Sequence, residues 1–323
     1  MDIAPNIQPG SPVRFPIPAL TPRALEPPDG PLIRRRFRGT SVSLYEWQCP
    51  GHGPPRSGEE WGDAHEVVVP RRGAFQWEIA GKRVLADPGT ATFLHPAEPY
   101  RVRHPLAGGD AGSIFRLAPS AVRELVAEHD PGAADGGWPR FPASHAPLDG
   151  RAYLLHRLAM RAAIDPAASP IEVEERVAGF LREAVAQGFR RREARRSGGP
   201  AARGRLAAEY TARVAEVVAA RYREPLTLAE VARTVGCSPF HLSRLVTAVA
   251  GVPIYRMIRR RRLRDALELL LDTRESISRI ALTVGFASHS HLTDAFHREF
   301  GVPPRAVRRL GRTASSRLRA PRR

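Results

Sequence analysis

The sequence predicts two regions of different fold class: an antiparallel β sandwich with helices, followed by an all-α domain that contains two helix-turn-helix units. Three observations support this division. Short apolar runs alternate with turn residues between 41 and about 117, which is typical of antiparallel sheets. From about 206 onward, apolar residues recur with a helical period. Residues 227–253 and 276–303 then repeat nearly the same pattern.

The N-terminal region divides into an arm, a sandwich and helices. Residues 1–40 are rich in proline and hold the run 34–36 of three arginines, which predicts a flexible arm. Seven short strands are expected between 42 and 117, with tight turns at 80–82 and 87–89. Helices are expected at about 119–126, 149–163 and 171–192. We therefore assign 41–195 to one domain and the Gly- and Arg-containing stretch 196–205 to a linker.

The two copies of the repeat share their helix signals. Each begins with a hydroxyl residue that can cap a helix, Thr227 or Ser276, and continues through a short helix to a glycine turn. A second helix follows Ser238 or Ser288 and closes on Gly-Val-Pro. A helix over about 253–271 separates the copies, so the domain spans 206–310, and the basic tail 311–323 is predicted to be disordered. Two such units suggest one chain presenting two helices to successive turns of DNA.

Charge is concentrated in the C-terminal third. Of the net charge of +17, residues 200–323 carry +14, from 24 arginines and 10 acidic residues. This asymmetry predicts a polyanionic partner for that third. The chain of 323 residues is 42% hydrophobic, which is enough for two cores.

Cysteine content and the length of apolar runs indicate the cellular compartment of the protein. Cys49 and Cys237 are the two cysteines, which argues against a disulfide framework and fits a reducing environment. No apolar run approaches the roughly 20 residues needed to cross a bilayer, and prolines interrupt the N-terminus where a signal peptide would lie. We expect a cytoplasmic protein that does not associate with a membrane.

The second helix of each unit is expected to enter the major groove, which displays a distinct pattern for each base pair. The candidate base-reading residues are Phe240, His241, Ser243 and Arg244 in the first unit and His289, Ser290, Thr293 and Asp294 in the second. Arg244 is the best single candidate because a guanidinium can donate two hydrogen bonds to guanine. Its alternatives are a phosphate contact or a solvated surface position.

Asp294 stands where the first unit has Arg244. An acid in a phosphate-lined groove is unfavourable unless it accepts from cytosine N4 or pairs with a neighbour such as Arg298. The second helix is therefore expected to discriminate less between sequences.

Other arginines are expected to contact phosphates, which adds affinity and salt dependence without reading sequence. The candidates are Arg256, Arg259, Arg298 and Arg305. Because the run 259–262 covers every face of a helix, some of its arginines must be solvated or paired with Asp265 or Glu268.

The segment 206–310, which contains these residues, resembles the DNA-binding domain of AraC/XylS-type transcriptional regulators. The most specific stretch is 280–304, with its order Ile-Ala, Val-Gly-Phe, Ser, Phe, Phe-Gly and Pro. Val246 departs from the family, which usually has Phe there. The resemblance implies a cupin-like sensor or dimerisation domain at 41–195, promoter DNA as partner and a homodimer. RNA polymerase and a small-molecule effector are further candidate partners.

The cupin resemblance does not extend to metal catalysis. Enzymatic cupins hold a metal with a His-x-His pair, which the strand region lacks, and Tyr100 stands where many related domains have His. Cys49 and His52 form a Cys-x-x-His pair, but two ligands without a second pair are weak support for zinc. No catalytic residue, cofactor or metal is predicted. Trp77, Phe93 and Tyr100 are candidates to line an apolar ligand pocket, the alternative being that they are core residues.

The leading functional hypothesis is a sequence-specific transcription regulator controlled through its N-terminal domain. One alternative is a metal-dependent cupin enzyme tethered to DNA. Another is a nonspecific architectural DNA-binding protein. The sequence leaves open whether a regulator of this kind is an activator or a repressor.

Overall fold

The computed structural model describes residues 32–50, 59–79, 82–106, 109–134, 137–196 and 205–316. Within these ranges the N-terminal part combines antiparallel sheets with helices and the C-terminal part is helical, which confirms the predicted fold class. None of the helices in the described ranges has the length and apolar character of a membrane span.

In the part of the chain that the structure describes, nine strands form two antiparallel sheets. They are β1 (Leu32–Arg38), β2 (Val42–Cys49), β3 (His65–Arg72), β4 (Phe75–Ile79), β5 (Lys82–Ala86), β6 (Thr90–Leu94), β7 (Tyr100–Arg103), β8 (Asp110–Leu117) and β9 (His145–Pro147). The larger sheet has the order β1-β2-β8-β3-β6-β9 and the smaller one β5-β4-β7. Every pairing between these strands is antiparallel.

The larger sheet is covered on both faces. Successive side chains of a strand point to opposite faces, so Val67 packs on the helical side and Val68 on the side of the smaller sheet. Phe93 and Leu94 divide in the same way. Because both faces of the sheet are buried, successive residues of its strands are apolar.

Three α-helices and one short 3-10 helix complete the N-terminal part: α1 (Pro119–Ala127), a 3-10 turn (Pro131–Ala134), α2 (Gly150–Ile164) and α3 (Pro170–Arg196). Asp149 caps α2, since its carboxylate accepts from the Ala152 amide at 2.9 Å. Phe180 of α3 packs on Phe115 of β8 with ring centroids 4.9 Å apart. The helices therefore close the outer face of the larger sheet.

Between residues 205 and 316, the described C-terminal range, the chain forms seven helices. They are α4 (Arg205–Arg221), α5 (Leu228–Val235), α6 (Pro239–Ala250), α7 (Ile254–Asp272), α8 (Ile277–Thr283), α9 (His289–Phe300) and α10 (Pro304–Ser316). The pairs α5/α6 and α8/α9 are the two predicted helix-turn-helix units, and α7 joins them. The first unit shares a core with α4, built on Val214, Val231 and Leu242.

Three boundary predictions need correction. The predicted arm 1–40 includes strand β1, because Leu32–Arg38 pairs with β2 while Ile33 and Phe37 pack in the cores on the two sides of the larger sheet. The predicted disordered tail 311–323 begins as helix, because α10 continues to Ser316. The short edge strand β9 was not predicted. Residues 1–31, 197–204 and 317–323, and with them most of the predicted arm and linker, lie outside the described residues.

Candidate nucleic-acid interface

The first helix-turn-helix unit is built by local signals. The Thr227 hydroxyl accepts from the Glu230 amide and the Glu230 carboxylate accepts from the Thr227 amide, which forms a capping box at the start of α5. Gly236 closes that helix at φ 72°, a left-handed conformation that favours glycine. Ser238 then caps α6, as predicted, by accepting from the His241 amide at 3.4 Å. These signals fix the angle at which α6 leaves the turn.

The outward face of α6 carries the predicted base-reading side chains of the first unit. Leu242 and Val246 are buried against α4 and α5. Phe240, His241 and Arg244 are exposed on the opposite face. Phe240 is 91% exposed, so the core gives no reason for a large apolar side chain there.

Arg244 and His241 lie one helical turn apart. The Arg244 Nη2 is 3.3 Å from the His241 Nδ1. A guanidinium held at this place can donate two parallel hydrogen bonds to guanine, and a phenyl ring can pack on a thymine methyl group. Ser243 is half-buried at the edge of the same face.

The second unit repeats this frame. Ser276 and Ser288 cap α8 and α9 by accepting from the Arg279 and His291 amides at 3.1 and 3.2 Å. Gly301 ends α9 at φ 73°. The buried face of α9 consists of Leu292, Ala295, Phe296 and Phe300. The scaffolds of the two units therefore match.

The outward face of α9 differs from that of α6. Ser290 and Asp294 are exposed, whereas His289 and Thr293 are half-buried. The Thr293 hydroxyl donates to the His289 carbonyl at 2.9 Å. The predicted pairing of Asp294 with Arg298 is wrong in its detail, because Arg298 donates to the Asp294 backbone carbonyl at 3.2 Å and not to its carboxylate.

The predicted phosphate-contacting arginines are not equally placed. Arg256, Arg298 and Arg305 are exposed, while Arg259 is half-buried on α7. Of the two alternatives for the run 259–262, solvation or pairing with Asp265 or Glu268, pairing finds no support in the contacts of these acids. Asp265 binds Tyr222 and Arg223, and Glu268 binds Tyr153 and Arg157.

Arg262 makes hydrogen bonds between the two units that the sequence does not predict. Its guanidinium donates to the carbonyls of Tyr222, Glu224 and Gly285, each at 2.6 Å. The first two carbonyls follow α4, and the third lies in the turn between α8 and α9. Arg262 thus joins the first unit to the second and keeps their relative placement.

Comparison with known proteins agrees with this geometry. Residues 231–310 match the family model of a helix-turn-helix domain. The chain is similar to the HTH-type transcriptional regulator GlxA of Rhizobium meliloti, at 38% identity over 96 residues that cover 30% of each protein. It is also similar to the multiple antibiotic resistance protein MarA of Escherichia coli, at 32% identity over 97 residues that cover 30% of this chain and 76% of MarA. The chain belongs to the AraC-type transcriptional regulators.

A solved AraC-type DNA-binding domain protein from Chromobacterium violaceum aligns with 33% of this AraC-type regulator and 96% of its own chain, at 28% identity and a TM-score of 0.32. The matches to GlxA, MarA and this structure each cover about a third of the present chain.

The N-terminal part of this AraC-type regulator contacts the DNA-binding helices through a charge cluster that is buried at Tyr153, Arg157 and Glu268 and exposed at Asp272. The Arg157 Nε on α2 lies 2.7 Å from the Glu268 Oε1 on α7, and its Nη2 donates to Asp272 at 3.0 Å. Tyr153 donates its hydroxyl to Glu268 at 2.8 Å, and Arg71 of β3 lies 3.8 Å from the other Glu268 oxygen. Burial raises the pKa of Glu268, whereas the guanidinium of Arg157 opposes that rise. We call these five residues the domain seam.

Backbone contacts extend the domain seam toward α9. The buried Arg264 donates to the Leu148 carbonyl at 2.5 Å, and its desolvation lowers its pKa. Gly150, the first residue of α2, approaches the Glu299 carbonyl so closely that a β-carbon would lie 2.8 Å from the carbonyl carbon. One continuous apolar core joins the two parts, including Phe115, Phe180, Leu267, Phe296 and Phe300. The second unit is thus packed on the N-terminal part.

The residues predicted to line a ligand pocket do not come together. Trp77 packs on Tyr100 between the sheets with ring centroids 4.7 Å apart. Phe93 lies on the other side of the larger sheet, against Phe141 at 4.9 Å. Ligand contact by these three residues stays a prediction.

A cavity of about 350 Å³ lies elsewhere in the N-terminal part, lined by His65, His95, Pro96, Ala97, Trp138, Pro139 and Arg140. The His65 Nε2 is 2.8 Å from the Pro139 carbonyl, which can only accept, so this nitrogen donates. Burial lowers the pKa of both histidines, to about 4 for His95, which keeps both neutral near pH 7. Within the described ranges the Nδ1 atoms of both are buried and have no hydrogen-bond partner. Two neutral imidazoles therefore line the cavity.

Proposed function

We propose that this AraC-type regulator recognises promoter DNA in a sequence-specific manner through two unequal helices, under the control of its N-terminal domain. The observation that carries the proposal is the exposed face of α6, where Phe240, His241 and Arg244 project together from a helix whose other face is buried. No catalytic residue takes part. The regulator acts in the cytoplasm, where the bacterial chromosome is accessible.

The chemistry of α6 supports direct reading of bases. Arg244 can discriminate guanine by about 1–3 kcal/mol when both of its hydrogen bonds form. Phe240 gains by leaving water against a thymine methyl group. Exposed arginines such as Arg256 and Arg305 supply sequence-independent attraction to phosphates.

The chemistry of α9 supports a smaller contribution to discrimination. Asp294 repels phosphates, and the Thr293 hydroxyl is already engaged with its own helix backbone. The DNA site is therefore directional: it has two different half-elements about one helical turn apart, 10–10.5 base pairs centre to centre.

Control through the N-terminal domain is supported by the domain seam. Because α9 is packed on α2 while α6 belongs to a separate core, a shift of the N-terminal part moves one reading helix relative to the other. A small-molecule effector in the His65 and His95 cavity would act by favouring one of the two arrangements. Assembly as a homodimer and contact with RNA polymerase belong to the same proposal.

The test is selection of duplexes from a random library with the full chain, followed by competition binding at physiological salt. We expect an asymmetric motif with two half-elements, bound at least about 10³-fold more tightly than random duplex. Enrichment of no motif, with equal affinity for selected and random duplex, would identify an architectural binder and overturn the proposal.

A further inference from the structure

A cluster of three side chains that are distant in sequence lies at one end of the larger sheet. Cys49 ends β2 and is the direct partner of Asp110, the first residue of β8. His104 follows β7 immediately. One donor atom from each of these three side chains lies within 4.8 Å of the other two. Within the described ranges this is the one group of three or more such donors.

Existing hydrogen bonds orient the acid and the imidazole of this group. The His104 Nδ1 is 2.7 Å from the Asp110 Oδ2. The indole of Trp47 donates to the other carboxylate oxygen at 2.8 Å. Asp110 is buried, whereas Cys49 and His104 are half-buried. Support of a ligand carboxylate by a neighbouring donor is a common feature of protein metal sites.

The donor set selects a class of metal ion. A thiolate, an imidazole and a carboxylate suit Zn²⁺ and similar transition metals, whereas Mg²⁺ and Ca²⁺ prefer oxygen alone. In a tetrahedral zinc site neighbouring ligand atoms lie about 3.3–3.7 Å apart. The three donors already lie within 4.8 Å of one another, and the 2.7 Å between His104 and Asp110 has to lengthen when a metal ion takes the place of their shared proton. The half-burial of Cys49 and His104 leaves access for a fourth, water ligand.

We propose that Cys49, His104 and Asp110 bind one thiophilic divalent transition metal ion of the zinc class. The ion takes the place of the thiol proton of Cys49 and of the proton between His104 and Asp110, and both protons pass to solvent. The structure connects this site to the DNA-binding helices by a short route.

That route passes through the turn between β3 and β4. Gly73, at φ 67°, packs so closely on Asp110 that a β-carbon would lie 2.8 Å from the Asp110 Cβ. The Gly73 carbonyl accepts from the Arg261 Nη2 of α7 at 3.4 Å. The Arg261 guanidinium also stacks on Tyr222, 4.8 Å from the ring centroid. A metal ion that repositions Asp110 therefore acts on a turn that already contacts the DNA-binding part.

Metal binding is tested directly by titrating the full chain with Co²⁺ and following the thiolate-to-cobalt absorption band. We expect one equivalent to bind, the band to appear and Zn²⁺ to displace it. Cys49→Ser should abolish the band. Cys237→Ser, which alters the other half-buried cysteine, should leave it unchanged.

His104→Gln provides a second variant that keeps the thiol, and it should weaken Co²⁺ binding at least about tenfold. Stoichiometric binding that persists in both Cys49→Ser and His104→Gln, or a wild-type chain that binds no Co²⁺, would overturn the metal site. Thermal unfolding of each variant shows whether it is folded before titration.

The effect on DNA rests on the proposed function and is measured separately. Zn²⁺ should change the affinity of the wild-type chain for its selected duplex by about fivefold or more, and should have no such effect on His104→Gln. Equal affinities with and without Zn²⁺ would overturn the connection to DNA binding while the metal site stands. A chain that binds no DNA in any condition would overturn the proposed function and leave the Co²⁺ titration intact.

Discussion

The two helix-turn-helix units share one scaffold but have different surroundings. In the first unit α5 and α6 share a small core with α4, and Phe240 and Arg244 face outward. In the second unit α8 and α9 share the large core of the N-terminal part, and Asp294 faces outward. From this difference we propose a division of roles, in which the first unit reads sequence and the second couples reading to the N-terminal domain.

The largest expected effect comes from breaking the domain seam. Arg157→Met leaves the Glu268 carboxylate buried without its main partner, so we expect the free energy of unfolding to fall by about 3–5 kcal/mol. Urea denaturation measures this loss. Hydrogen exchange should show faster opening of α9 than of α6, because α9 is packed on the N-terminal part.

Arg182→Met is the matched control for this variant, since it removes a surface pair with Glu128 and should cost no more than about 1 kcal/mol. The double variant Arg157→Met with Glu268→Gln should recover part of the loss, because the buried charge is removed with its partner. A loss for Arg157→Met no larger than that of the control would contradict the role of the domain seam.

The next effect tests the connection between the units. Arg262→Ala removes three charged hydrogen bonds to carbonyls, and we expect a loss of about 2–4 kcal/mol in unfolding free energy. Affinity for a duplex with both half-elements should fall more than affinity for the first half-element alone. Arg256→Ala, an exposed arginine of the same helix, should change stability by less than about 0.5 kcal/mol. Similar losses of stability in the two variants would refute a joining role for Arg262.

The frame of both units could be predicted because its signals are local. Ser238 and Ser288 cap the helices that follow them, and Gly251 and Gly301 close those helices in left-handed conformations, as the repeat indicates. Capping depends on residues within one turn of each other, so the sequence carries it directly.

The contacts that distinguish the two units could not be predicted, because their partners are distant in sequence. Tyr153 and Glu268 are 115 positions apart, and neither stands in a motif. Arg261 belongs to a run of four arginines that covers every face of a helix, and Arg264 follows that run, yet both are buried against the N-terminal part. Burial of a charge depends on tertiary partners that a local pattern does not show.

The comparison between the two units also predicts that a substitution in the first unit lowers sequence-specific affinity for DNA. Arg244→Ala should weaken binding to the selected duplex by about 1–3 kcal/mol, about 5- to 150-fold, while binding to random duplex changes much less. Arg256→Ala should weaken both duplexes alike and lower the salt dependence by about one phosphate contact. Competition binding at several salt concentrations measures both quantities. Equal losses on the two duplexes for Arg244→Ala would show that Arg244 contacts phosphate and does not read a base.

The smallest effect is expected in the second unit. Asp294→Asn removes a negative charge from a face that approaches phosphates, so affinity for every duplex should rise slightly, by less than about 1 kcal/mol. The sequence preference found by selection should change much less than in Arg244→Ala, because the second helix is expected to discriminate less between sequences. If Asp294→Asn instead relaxes preference at one base pair as strongly as Arg244→Ala does, Asp294 accepts from a cytosine. The two units would then read sequence equally, and the division of roles would rest on the domain seam alone.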